Sequence, residues 1–130
     1  MELEKLMQEI KEMPEKLHEK QLNLAEMERE LSTSKDKLLV SKSKKILEVA
    51  LKKDEITGRA EYPNAETREA AVVLELTMNT QHQKLVESKC DFEDKKRRAE
   101  IDLALLKNTL QCSFVIADIL LGMERKKEKN

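Results

Sequence analysis

The residues able to do chemistry are few and scattered. His18 and His82 are the only histidines, Cys90 and Cys112 the only cysteines. A zinc site needs three or four converging ligands, yet His82 and Cys90 stand two helical turns apart and His18 is remote from both. A cysteine nucleophile needs a neighbouring base and an oxyanion site, and no Gly-rich or loop-borne pocket supplies either. Cys112, between Leu110 and Phe114-Val115, reads as a core residue, and Cys90 as a partly buried seam residue. Both histidines read as surface residues. Carboxylate pairs such as Glu28 and Glu30 read as solvated faces in a chain with 26 acids. No catalytic, cofactor-binding or metal-binding residues are assigned, and no enzymatic activity is expected.

One local charge imbalance stands out. Lys35, Lys37, Lys42, Lys44, Lys45, Lys52 and Lys53 are opposed only by Asp36 and Glu48 between residues 35 and 53. A positive helical stripe can contact phosphates without reading sequence. The stretch lacks the interleaved aromatics of a single-strand binder, and a solvated lysine face is the plainer reading. The net charge of −1 gives no global pull toward nucleic acid or anionic lipid.

The elements that position these residues are helices. Charged residues make up 39% of the chain and aromatics 2%, with two Gly and two Pro, the profile of coiled coils rather than of sandwiches or barrels. Leu3, Ile10, Leu17, Leu24, Leu31 and Leu38 form a ladder of sevens, accompanied by Leu6, Met13 and Met27. Lys20, Ser34 and Ser41 are its polar exceptions. A repeat of seven keeps side chains on one helical face that needs a partner helix. After Leu38 the phase is expected to slip by one, through Leu39, Ile46, Val49 and Ile56. Pro14 either kinks this helix or opens it after a separate short one, and Ser32-Thr33-Ser34 is a weak patch. Gly58 is expected to close the helix near Thr57, with Lys52 and Lys53 favoured at its C-terminal end.

Residues 58–63 then form a loop, and Asn64 caps a second helix running to about Arg125, followed by a basic tail to residue 130. Its ladder is Met78, Leu85, Phe92, Ala99, Leu106, Ser113 and Leu120, widened by Leu74, Leu103, Leu110 and Ala117. The fold expected is all-α: one domain, an antiparallel two-helix hairpin in which residue i faces a residue near 121 − i. Opposed charges, such as Lys95 to Arg98 across from Glu26, Glu28 and Glu30, fit that orientation. The two cysteines would lie roughly 33 Å apart on one helix at ~1.5 Å rise per residue, beyond disulfide reach.

One partner helix cannot cover the apolar residues from Ile101 to Leu121. Self-association into a helical bundle is therefore expected, through Leu103, Leu106, Leu110, Phe114, Ile116 and Leu120. Asp118, inside that run, is expected to point to solvent. Ile101 to Met123 followed by a basic tail also has a tail-anchor layout. Spanning a membrane would bury charges at roughly 2.5–3.5 kcal/mol for each central one.

The junction Ile56-Thr57-Gly58-Arg59, followed by Asn64-Ala65-Glu66-Thr67-Arg68-Glu69-Ala70, resembles small long-helix proteins of phages and prophages. Those join two long helices by a Gly–Asn–x–x–x–Arg type of junction, often in recombination and replication gene neighbourhoods. The resemblance is one of layout and covers about residues 50–120. It implies a phage accessory factor in the bacterial cytoplasm. Gam-type host-nuclease inhibitors, which bind duplex ends as dimers, share the long-helix habit, but this chain lacks their core motif. The first expectation is a non-enzymatic coiled-coil protein that forms homo-oligomers and binds a protein partner. The alternatives are a nucleic-acid-binding accessory of DNA metabolism and a membrane-associated helical protein. Free thiols and the acidic N-terminal stretch MELEKLMQEI suit the cytoplasm rather than secretion.

Overall fold

The computed structural model describes residues 2–129. Three α-helices account for most of them: α1 (Glu2–Leu51), α2 (Ala65–Met78) and α3 (Thr80–Lys129). Among the described residues the β structure is one isolated bridge between Lys53 and Ala60. The all-α class follows from the heptad spacing. Met1 and Asn130, the ends of the expected hairpin, lie outside the described residues.

Two compact units divide the chain, Met1–Met27 with Lys95–Asn130 and, separately, Glu28–Asp94. In the first, the α1 residues least exposed are Leu3, Leu6, Ile10, Met13, Leu17, Lys20, Leu24 and Met27. Their 3-4 spacing is the expected ladder, with the polar exception Lys20 inside it. On α3 the matching set is Lys96, Ala99, Leu103, Leu106, Leu110, Ser113, Ala117 and Leu120. Lys20 Nζ reaches Asp102 3.9 Å away, one residue from the expected register. Lys96 pairs with Glu100 on its own helix. Pro14 is exposed and α1 continues through it.

In the second unit α1 keeps its phase through Leu31, Ser34, Leu38, Ser41 and Lys45. The expected slip after Leu38 does not occur there. Leu39 is 64% exposed, Ile46 48% and Ile56 94%. The shift comes later, at the step from Lys45 to Val49, where α2 replaces α3 as the packing partner. Val49, only 1% exposed, packs with Ala71, Val72 and Leu76, and Tyr62 closes against them. The hydroxyl patch stays helical, and Thr33 donates to the Arg29 carbonyl at 3.1 Å.

Helix α1 ends at Leu51, six residues before the expected Thr57. Asp54 captures the chain first. Its carboxylate accepts from Ile56 N at 2.8 Å and Thr57 N at 3.4 Å. Backbone bonds from Asp54 N to Arg59 O and from Glu61 N to Lys52 O tie the two sides together. Gly58 does adopt a left-handed φ of 67°, but to close this turn, not the helix. Asn64 caps α2 as expected, accepting from Thr67 N at 2.8 Å.

The single helix expected from Asn64 to Arg125 is broken at Asn79. Its backbone is extended, and its N–H donates to Leu76 O. Its side chain accepts from His82 N at 3.0 Å, capping α3. The Gln83 amide gives the same Leu76 carbonyl a second donor, at 3.0 Å. Because of this break, Met78 and Leu74 leave the ladder and are exposed.

Val49→Ala should cost about 1–3 kcal/mol through the cavity it leaves, and Asn79→Ala about 0.5–2 kcal/mol through the lost cap. Urea unfolding followed by circular dichroism reads both. A Val49→Ala midpoint equal to wild type would contradict the packing described.

Candidate interaction surfaces

The side chains singled out for chemistry are kept apart. His18 is exposed on α1. Both cysteines are free and exposed, which corrects the expectation of a buried Cys112 and a seam Cys90. The reason is phase: the seam runs through 89 and 92, then 110 and 113, and each cysteine falls one step off it. Among the described residues no group of three His, Cys, Asp or Glu is placed to hold a metal ion.

His82 is the exception to the surface reading, at 9% exposure. Its Nδ1 and the Ser41 hydroxyl share a hydrogen bond of 2.8 Å. Ser41, a polar exception in the ladder, is therefore the partner that makes a buried imidazole tolerable. The sequence signal was available: a serine on the α1 ladder facing a histidine two residues from the expected register.

The seven lysines do not share one face. Lys35 and Lys42 are seven residues apart and border one groove, with Leu38, Leu39, His82 and Lys89. Lys37 and Lys44, also seven apart, border another, with Asp36 and Glu48. Lys45 is taken up by Glu48 at 2.9 Å and Glu75 at 3.5 Å, and Lys52 by Glu61 at 3.5 Å. Lys53 sits in the turn.

The six residues expected at an oligomer interface also divide. Leu103, Leu106, Leu110 and Leu120 are half-buried on the seam within the chain, whereas Phe114 and Ile116 are exposed. Ile101, Leu105, Val115 and Ile119 are exposed with them. These four belong to a second run of 3-4 spacing: Ile101, Leu105, Asn108, Cys112, Val115, Ile119, Gly122. Two such runs, offset by two residues, fall on nearly opposite faces of one helix. Asp118 is exposed beside it. This helix contains one stretch long and apolar enough to cross a membrane by length and composition, 11% of it buried. Lys107 and Asp118 would then be buried at roughly 2.5–3.5 kcal/mol each when central.

Hydrogen bonding to Glu48 does most to hold the Lys45 ammonium above the usual 10.5; burial opposes it, and the charges of Glu48 and then Glu75 add to the rise. A raised lysine value in the folded chain means that this contribution is complete below pH 10.5 and fades as pH rises through the raised value. In thermal melts, wild type should therefore exceed Glu75→Gln at neutral pH, and the gap should close at strongly alkaline pH. A gap that persists unchanged there would show that Glu75 acts otherwise than through Lys45.

Comparison of the chain with protein-family models, with curated proteins and with solved structures finds no match, so its own geometry is what speaks for its function.

Proposed function

We propose that the chain is a non-enzymatic coiled-coil interaction protein, an antiparallel helical hairpin that assembles with further copies through the outer stripe of α3. The carrying observation is that stripe: a heptad-spaced apolar run with no cover in its own chain. The hairpin rests on the seam spacing and on the pairs Lys20–Asp102 and Ser41–His82. Ile116 and Met123 flank the stripe and are also exposed.

A second copy is the occupant that the stripe fits best. Two stripes running antiparallel can meet as Ile101 with Ile119 and Leu105 with Val115, leaving Asn108 to face Cys112. Apolar layers then meet apolar layers, and Asn108 meets Cys112 in two layers related by the axis. Gly122 supports the same reading, since a Cβ there would touch nothing in its own chain. Assembled rods would present charged shafts to a protein partner, as the phage-like layout suggests. Nucleic-acid binding along Lys35–Lys53 is the weaker reading, because those lysines fall on two flanks and two of them are paired.

Light scattering tests the assembly. Wild type should exceed the mass of one chain, and Val115→Asp with Ile119→Asp should reduce it to one chain while circular dichroism retains helix. Gly122→Ala supplies an independent reading. On an uncovered helix it should stabilise by about 0.5–1 kcal/mol, whereas at a close contact it weakens assembly. A wild-type chain that is monomeric and soluble without detergent would overturn the proposal, and one soluble only in detergent would favour the membrane reading.

A further inference from the structure

The groove bordered by Lys35, Lys42 and Lys89 lies within the Glu28–Asp94 unit and uses none of the outer stripe of α3. It is a shallow, open depression of about 310 Å³. Lys35, Lys42, Lys89 and His82 line it together with Leu38 and Leu39, and no Asp or Glu does. Lys89 has Glu93 3.5 Å away on its own helix. Lys35 and Lys42 have no ion-pair partner among the described residues. Lys45 and Lys52 of this unit do have carboxylate partners, but neither borders this groove.

Three further features act in the same direction. His82 is the third residue of α3, inside the first turn, where the aligned peptide dipoles present their positive end. Ser41 fixes the imidazole from α1 and Asn79 fixes its backbone N–H, so the ring is positioned before any ligand arrives. Leu38 and Leu39 form an apolar wall, which weakens solvent screening beside the ammonium groups.

We propose that this groove binds a small phosphate-bearing anion, with Lys35, Lys42 and Lys89 as the charged contacts and His82 as a positioned hydrogen-bonding group. Lysines seven residues apart stand about 10.5 Å apart along the helix, so the groove offers more than one phosphate seat and favours a polyphosphate over a single phosphate. The phosphates can be free or carried on a nucleotide. Their negative charge offsets the repulsion between Lys35 and Lys42, which no ion pair among the described residues relieves.

Calorimetric titration of the full chain with inorganic phosphate, inorganic triphosphate and a nucleoside triphosphate tests this and separates the sources. Triphosphate should bind more tightly than phosphate, one per chain, in the millimolar range or below, and more weakly as salt rises. Similar affinity for the two triphosphates assigns recognition to the phosphates alone, and a tighter nucleoside triphosphate adds a base contact. Lys35→Gln with Lys42→Gln and Lys89→Gln should weaken binding at least about tenfold. Lys37→Gln with Lys44→Gln, on the other flank, should leave it unchanged. Leu39→Glu, at an exposed wall position, should weaken binding without removing any lysine. In wild type the His82 ring resonances should move as triphosphate is added. No heat above dilution, equal losses in both lysine sets, or a motionless His82 signal would each overturn the proposal. So would binding only of duplex DNA, with both lysine sets contributing.

Discussion

A side chain repeated every seven residues can cover one face of a helix and no more. Most of this molecule follows from that limit. In the unit of Met1–Met27 with Lys95–Asn130, α1 and α3 each spend one face on the seam. The remaining faces differ. Those of α1 carry Glu12, Glu15, Glu19 and Glu26, which water solvates at no cost in burial. That of α3 carries Ile101, Leu105, Val115 and Ile119, which water does not favour. The asymmetry is a property of sequence, and the proposed association through α3 rests on it.

Polar residues within the seam do work that apolar ones cannot. A run of leucines slides by a heptad at little cost, because each layer resembles the next. Lys20 opposite Asp102 does not repeat, since a shift by seven puts Met13 or Met27 in the place of Lys20. At Ser41, bonded to His82, a shift one way brings Glu48 to the imidazole and the other way brings Ser34, a second seam serine, and an unmet buried polar group costs about 1–3 kcal/mol. The exceptions in the ladder thus select the register, while the ladder itself supplies the burial.

What the sequence made legible was whatever depends on period. The seam of the Met1–Met27 unit, the α3 ladder from Leu85 onward and the Asn64 cap follow from spacing and residue type. What escaped was whatever depends on competition between local bonds. Asp54 and Gly58 both favour a chain reversal, and only the placement of Val49 against Ala71, Val72 and Leu76 decides that Asp54 acts first. Asn79 looks like any polar helix residue until its side chain is seen to cap His82. The late phase shift at Val49 has the same origin, since a helix changes its buried face where its partner changes. Cys90, Cys112 and His82 depart from what their sequence neighbours suggest because a helix buries by angle and not by neighbourhood.

Charge obeys the same geometry. A run of lysines in sequence is not a face, because successive residues turn by about 100° around a helix. Lys35 and Lys42 stay together, as do Lys37 and Lys44, and the seam lies between the two pairs. The pairs then meet different surroundings. Asp36 and Glu48 border the groove of Lys37 and Lys44, whereas the groove of Lys35 and Lys42 gains Lys89 and the positive end of α3. Seven lysines that in sequence suggest one broad surface for a polyanion thus resolve into a groove lined by carboxylates and a groove lined by none. The second, with its fixed imidazole, is the one we propose for a compact anion, since the regularly spaced phosphates of an extended duplex call for charges in a continuous line.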